Sequence, residues 1–209
     1  MIAVCEARAV RFWEVKEEVR VLGVDDGPFQ FGPGEKALVV GTVFRGGLWL
    51  EGLLTRHVDV DGDDATQCII NMVNSSRHRR QIRVVMTDGL TLAGFNVIDG
   101  NEVFRKTGLP VISVTRNNPD LKAIMSALKR FPDFDERWSR IEEAGPPLRH
   151  TFQTARGRRS VYFQAFGVGE EDARRIIDVT STRSLIPEPI RVAHIIASGV
   201  VKGESFGRA

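Results

Sequence analysis

The sequence is short of several features that would place it quickly. It has two cysteines, Cys5 and Cys68, far apart and without CxxC spacing. That argues against a structural zinc site or a disulfide framework. Cys68 lies in an apolar helical pattern and reads as a core residue. No run approaches the roughly 18 apolar residues of a membrane span. Met1 to Arg20 mixes charges throughout and has no apolar h-region, so a signal peptide is not expected there. Repeats, low-complexity tracts and linkers are also missing. The expectation is a cytoplasmic protein with no membrane association.

Overall charge has little to say either. The formal net charge is +2, which selects no partner. Arginine dominates the bases and is clustered, in Arg77-His78-Arg79-Arg80, Arg156-Gly157-Arg158-Arg159 and Arg174-Arg175. Arginine forks suit phosphate better than lysine does. Arg79, Arg80, Arg158 and Arg159 are therefore candidates for a nucleic-acid backbone, with solvated surface as the alternative. Hydrophobic residues make up 42% and charged residues 27%, an ordinary globular profile. A chain of 209 residues holds one domain with a real core, so residues 1–209 are read as a single domain.

Val19 to Val24 reads as a strand, Lys36 to Phe44 as a second and Leu48 to Val60 as a third. Gly46-Gly47 marks a hairpin between the last two. Asp61 to Thr66 breaks the third strand. From Asp64, Cys68, Ile69, Met72 and Val73 fall at helical spacing, which predicts a helix to about Arg77 with Asp63 or Asp64 as N-cap. Ile82 to Met86 is a continuous apolar run, as in a central buried strand, and ends in Thr87-Asp88-Gly89. A short helix follows over Asp99 to Thr107, then a buried strand over Pro110 to Thr115. Pro119 opens an amphipathic helix through Leu128. Phe131 to Pro147 reads as one short helix plus loop. Phe152 and Val161 to Phe166 suggest a small strand pair with the turn Arg156 to Arg159 at its tip. Glu170 to Val179 is helical, and Pro187-Glu188-Pro189 opens a last helix. Three antiparallel strands followed by helix-separated parallel strands form a mixed sheet with helices on both faces, the order of the ribonuclease H-like fold.

Several carboxylates fall where such a sheet could gather them. Asp25 follows the first strand and Asp88 ends the strand after the first helix. If those strands are neighbours, both aspartates project from one edge. Asp63 or Asp64, at the start of the first helix, could reach the same edge. Carboxylates that cannot be paired locally repel one another unless a hard cation fills the cluster. Mg²⁺ binds through one or two carboxylates plus waters and phosphate oxygens. Taken singly, Asp25-Asp26 before Gly27-Pro28 is a turn, Asp64 an N-cap, Asp88-Gly89 a turn, His194 a packed helix residue and Arg116 a surface residue.

A resemblance links these residues. Leu185 to His194, with Pro187-Glu188-Pro189-Ile190-Arg191, is similar to the C-terminal signature of the endonuclease V family, where the position of His194 is metal-associated. Gly23-Val24-Asp25 resembles that family's first metal-binding strand end, and Asp88-Gly89 the second. Ile112 to Arg116 resembles a later strand ending in a basic residue near the scissile phosphate, with Arg116 in place of lysine. Asp64 is the match for a helix-start carboxylate, Asp replacing Glu. Asp61 to Thr66, Ala93 to Val97, Thr107 to Ile112, the Pro-Glu-Pro helix and the tail Gly203 to Arg208 resemble the archaeal family named endonuclease dU over nearly the whole chain.

The resemblance implies a Mg²⁺-dependent endonuclease, with Mn²⁺ as substitute, acting on DNA with deaminated bases, deoxyuridine or deoxyinosine. Asp25, Asp64 and Asp88 would hold metal, His194 would be a metal-associated or proton-transfer group, and Arg116 would hold phosphate. Asp26 is a supporting residue or an alternative ligand. The Pro-Tyr-Ile-Pro wedge of the endonuclease V family has no counterpart before Asp64. Phe95 and Asn96 are candidates for a base pocket, Phe95 stacking and Asn96 hydrogen-bonding, or else a packed turn. The rival expectations are a nucleic-acid-binding module of the same fold without cleavage, and a nuclease for inosine-containing RNA.

Overall fold

A computed structural model describes residues 9–154 and 157–205. The chain enters at β1 (Arg20–Asp26), β2 (Lys36–Arg45) and β3 (Trp49–Asp59), the expected antiparallel meander. Helix α1 (Ala65–Asn74) leads to β4 (Val84–Asp88). A two-residue hairpin, β5 (Thr91–Leu92) and β6 (Asn96–Val97), precedes α2 (Gly100–Thr107) and β7 (Val111–Thr115). Helices α3 (Leu121–Leu128) and α4 (Phe134–Glu143) come next, then β8 (Leu148–Thr154), β9 (Gly157–Phe166), α5 (Glu170–Thr180) and α6 (Glu188–Lys202).

The main sheet has seven strands in the order β3-β2-β1-β4-β7-β9-β8. Strands β1, β4 and β7 are parallel neighbours, as a ribonuclease H-like sheet requires. The β8–β9 pair is not a separate ribbon. It extends the main sheet, because β9 lies antiparallel to β7 with Thr115 opposite Tyr162. Helix α1 stops at Asn74, three residues before the expected end. Its final turn gives way to Ser75, which hydrogen-bonds the carbonyl of Asn71.

Side-chain alternation divides the core in two. Leu22, Val24 and Val85 face one side, with Cys68, Ile69 and Met72 of α1 and Val103 of α2. Val21, Val84, Met86, Ile112 and Val114 face the other, with Ala173, Ile176 and Ile177 of α5 and Ile190 of α6. Successive strand residues point to opposite faces. Asp25, in phase with Val21, and Asp88, in phase with Val84 and Met86, therefore belong to the α5–α6 face. Among the described residues, no helix is long and apolar enough to cross a membrane.

Candidate active site

The site begins with the seating of α6. Gly23 and Gly27 on β1 lie directly under this helix. A Cβ at Gly23 would stand 2.5 Å from Pro189 Cβ, and one at Gly27 would stand 3.0 Å from the Ala197 carbonyl oxygen. The Thr42 hydroxyl on β2 donates to the Pro189 carbonyl at 2.6 Å. Glu188, buried, holds Arg191 through both carboxylate oxygens, at 3.0 and 2.6 Å. The Gly-Val-Asp and Pro-Glu-Pro segments are thus two halves of one contact. With no side chain at 23, the first turn of α6 rests on β1, and His194 in the next turn reaches the strand end.

There His194 Nδ1 lies 2.9 Å from Asp25 Oδ2, and Asp25 Oδ1 accepts the Asp26 N–H at 2.9 Å. Asp25 is 5% exposed. Burial pushes its carboxyl above the usual value, and the His194 contact pulls it partly back. Asp88 ends the neighbouring strand, one position beyond the Val24–Thr87 pair. Its carboxyl is raised to about 7, first by burial and then by the Asp25 charge, while His194 and Arg116 act in the opposite sense. Asp26 is also raised to about 7, by burial and then by Asp25, with a smaller push from Asp88. The Ala93 N–H bonds to Asp26 and lowers it. The Gly89 turn after Asp88 has φ +72° and is fixed by its N–H on the Val114 carbonyl at 3.1 Å and by the Thr87 hydroxyl on its own carbonyl at 2.7 Å.

Five of the residues singled out in the sequence are therefore brought together: Asp25, Asp26, Asp88, Arg116 and His194. Asp64 is not among them. It stands at the N-cap position of α1 without capping it. Its oxygens accept the Asp59 N–H at 3.1 Å and the Asn96 side-chain amide at 2.6 Å. Asn96 is wholly buried. Its other bonds run from its amide to the Asp59 carbonyl at 3.0 Å and from the Ala65 N–H to its oxygen at 2.9 Å. That amide fastens β3 to α1, so Asn96 belongs to the structural joint rather than to a base pocket. Asp63 is paired with Arg140. Asp61 takes the Phe95 N–H at 2.8 Å and Arg130 at 3.3 Å. The acidic run 59–64 is neutralised by partners distant in sequence, a pairing that local spacing cannot reveal.

The arginine clusters divide as well. Arg79 and Arg80 precede β4, whose far end carries Asp88, so they occupy the opposite edge of the sheet. Arg79 donates to the Thr107 carbonyl and to Asn74 Oδ1, tying down the ends of α1 and α2. Arg158 and Arg159 lie on the site's edge. β7 ends opposite Tyr162, and β9 continues five residues further, to Gly157. At about 3.4 Å per residue, the β8–β9 ribbon projects roughly 17 Å past the end of β7. Both arginines are exposed on it. Residues 144–169 contain four arginines and no Asp or Glu, so this arm is uniformly basic beside an acidic centre. Arg156 and the end of the tail motif, Phe206 to Arg208, lie outside the described residues.

The donor set fits a hard cation. Buried Asp25 and half-buried Asp88 stand on adjacent strand ends, where the Asp25 charge raises Asp88, and Asp26, next in the chain and turned to the other face, feels both charges; a cation there removes that penalty. Among the described residues, no three Asp, Glu, His or Cys side chains form a ready ligand cage. Such a partial set suits Mg²⁺, which keeps waters and takes substrate oxygens, better than a four-ligand zinc site.

Three proteins illustrate what this chain is similar to. A Methanothermobacter thermautotrophicus protein named only as a UPF0215 protein is 53% identical over 199 residues, 95% of each chain. A solved structure of a protein of unknown function from Archaeoglobus fulgidus superposes with TM-score 0.76 at 34% identity, over 88% of this chain and 99% of that one. Endonuclease V of Ciona intestinalis, solved with a 24mer DNA containing an inosine followed by a ribo-adenosine, gives TM-score 0.54 at 15% identity, over 84% and 82%. At that identity the likeness concerns the fold. The sequence pattern described as Endonuclease dU spans residues 17–201. The chain belongs to the Endonuclease dU family and carries the ribonuclease H-like fold of endonuclease V.

Proposed function

We propose that the protein is an endonuclease that hydrolyses phosphodiester bonds in DNA containing deaminated bases, deoxyuridine foremost, with Mg²⁺ or Mn²⁺. The observation that carries this reading is the pair Asp25 and Asp88. A buried and a half-buried carboxylate from adjacent parallel strands, both raised by burial and the second also by the charge of the first, are costly to ionise where they stand. They suit a cation and a phosphate. The family name and the inosine-containing DNA bound by the Ciona relative support the substrate class.

Asp25 and Asp88 would hold the cation, with Asp26 as a third carboxylate. The cation would lower the pKa of a bound water and stabilise the leaving oxygen of a phosphodiester. His194 Nδ1, in contact with Asp25 Oδ2, fixes the orientation of that carboxylate. Arg116, whose charge is felt at Asp88, would hold a phosphate oxygen. The basic β8–β9 arm would follow the backbone of the flanking nucleic acid. Such contacts supply affinity and register without reading sequence. Asp64, in this reading, is structural.

The test is a panel of end-labelled substrates incubated with Mg²⁺ or Mn²⁺, wild type beside Asp25→Asn. The panel contains duplexes with uracil, with hypoxanthine and without damage, and an inosine-containing RNA. Metal-dependent nicking of uracil DNA that disappears in the variant supports the proposal. Preferential cutting of the RNA would change the substrate class. Binding to all substrates with no nicking would make the chain a non-catalytic nucleic-acid module.

A further inference from the structure

The loop that leaves β1 directly after Asp25-Asp26 carries an aromatic ring into solvent. This loop, Gly27-Pro28-Phe29-Gln30-Phe31-Gly32-Pro33-Gly34-Glu35, is anchored at both ends. The Gly27 N–H bonds to the Leu38 carbonyl at 2.8 Å, and the Val60 N–H bonds to the Glu35 carbonyl at 2.9 Å. Phe29 packs against the core that contains Val24. Phe31 stands edge-on to Phe29, with centroids 5.2 Å apart and planes at 78°, and is 71% exposed.

The ring's position matters more than its exposure. Single exposed apolar residues are ordinary. Phe31, however, borders the turn of the β5–β6 hairpin: its Cε1 lies 3.5 Å from where a Cβ would stand on Gly94. The preceding residue, Ala93, donates its N–H to Asp26. Phe31 is thus one turn residue removed from the carboxylate cluster. That turn is rigid. Ala93 and Gly94 have φ of +47° and +90°, and the space on Gly94 is filled by Asp61 Oδ1. On its far side, Arg130 lies over Phe95 at 5.2 Å and over Phe131 at 4.9 Å. Those two rings are covered by the guanidinium, which Asp61 pairs, so it is Phe31 that brings an exposed ring to this edge, and a ring face suits a nucleobase.

We infer that Phe31 is a base-stacking residue, which holds a nucleobase out of the duplex beside the phosphate to be cut. The inference rests on the nuclease reading of the carboxylate site and gives that site its means of admitting a distorted rather than a regular duplex. A deaminated, mispaired base leaves the stack at lower cost than a paired one. A ring waiting at the site edge would select for that ease of opening rather than for one base identity. Phe31 acts by positioning; it is not assigned a part in the bond-breaking step.

The test uses a duplex with 2-aminopurine beside a uracil, and the full-length protein without divalent cation, so that binding is read without cleavage. Wild type should raise the 2-aminopurine fluorescence by unstacking it. Phe31→Ala should abolish the rise and weaken binding by about 5- to 150-fold, the worth of one base–aromatic stack. Its melting temperature should be unchanged, because the ring is mostly in solvent. Phe31→Trp should restore the signal. With Mg²⁺ added, Phe31→Ala should cut uracil in a regular duplex poorly, and its loss on uracil in single-stranded DNA should be smaller, because there no base has to be drawn from a stack. Equal fluorescence, affinity and duplex cutting by wild type and Phe31→Ala would overturn the inference and leave the nuclease reading intact. If wild type cuts nothing, the nuclease reading fails, and the fluorescence change alone decides whether Phe31 stacks.

Discussion

Replacing Asp88 with Asn should make the protein more stable and, on the proposed function, inactive. Asp88 is raised from 3.8 to about 7. The folded state therefore holds a proton that the unfolded state releases between about pH 4 and pH 7. Stability from this group is fully present below pH 4 and is lost as pH rises through 7. At pH 8 the ionised carboxylate sits against Asp25 in a poorly solvated position. At 1.36 kcal/mol per pH unit, the penalty has a ceiling of about 4 kcal/mol. Asp88 keeps partial contact with solvent. That contact leaves roughly 1–3 kcal/mol as the expected gain on substitution, because water screens the repulsion. For a chain of this size each kcal/mol moves the melting temperature by about 2–4 °C.

The assay is thermal unfolding of wild type and Asp88→Asn in EDTA at pH 5 and pH 8. The variant should melt about 2–12 °C higher at pH 8, and by less than half that margin at pH 5, where the folded carboxyl is protonated but the unfolded one has already begun to ionise. Mg²⁺ should then raise the wild-type melting temperature at pH 8 and have little effect on the variant. A variant that melts at or below wild type at pH 8 would refute the repulsion argument.

Three further outcomes follow from the geometry. Gly23→Ala places a methyl group against Pro189; it should cost about 1–3 kcal/mol and lower nicking more than a surface change of equal cost, because α6 carries His194. Asn96→Ala should cost about 2–3 kcal/mol by stranding the buried partners of its amide, and Asp64→Ala should likewise reduce the melting temperature while leaving Mg²⁺ affinity, measured by calorimetry, unchanged. The double variant Arg158→Ala, Arg159→Ala should weaken DNA binding and flatten the log–log salt dependence by about two, whereas Arg79→Ala and Arg80→Ala should leave that slope alone.

What could be read from the sequence was what depends on neighbours in the chain. The apolar run before Asp25, the Gly46-Gly47 hairpin and the helix from Asp99 to Thr107 all appear where residue order places them. Asp25 and Asp88 could be grouped because both stand at strand ends, which parallel strands present at one edge, whereas Arg116 and His194 joined them only through the resemblance of the Ile112-to-Arg116 and Pro-Glu-Pro segments. The failures share a cause. Asp64 was assigned to the metal because it opens a helix, but its partner Asn96 is 32 residues away. Arg79 looked like a phosphate ligand, yet the end of the sheet on which it lies depends on the direction of β4. The β8–β9 pair read as an appendage because nothing in residues 148–166 says that β9 will join β7. Phe31 drew no notice, since exposure beside a site is a property of the folded chain alone.

The most direct measurement is Mn²⁺ anomalous diffraction from crystals of the protein with a uracil-containing duplex. The account predicts an anomalous peak within about 2.0–2.3 Å of carboxylate oxygens from both Asp25 and Asp88, with a phosphate oxygen completing the ligands and Asp64 outside them. A peak centred on Asp64, or no peak between Asp25 and Asp88 at saturating Mn²⁺, would contradict it.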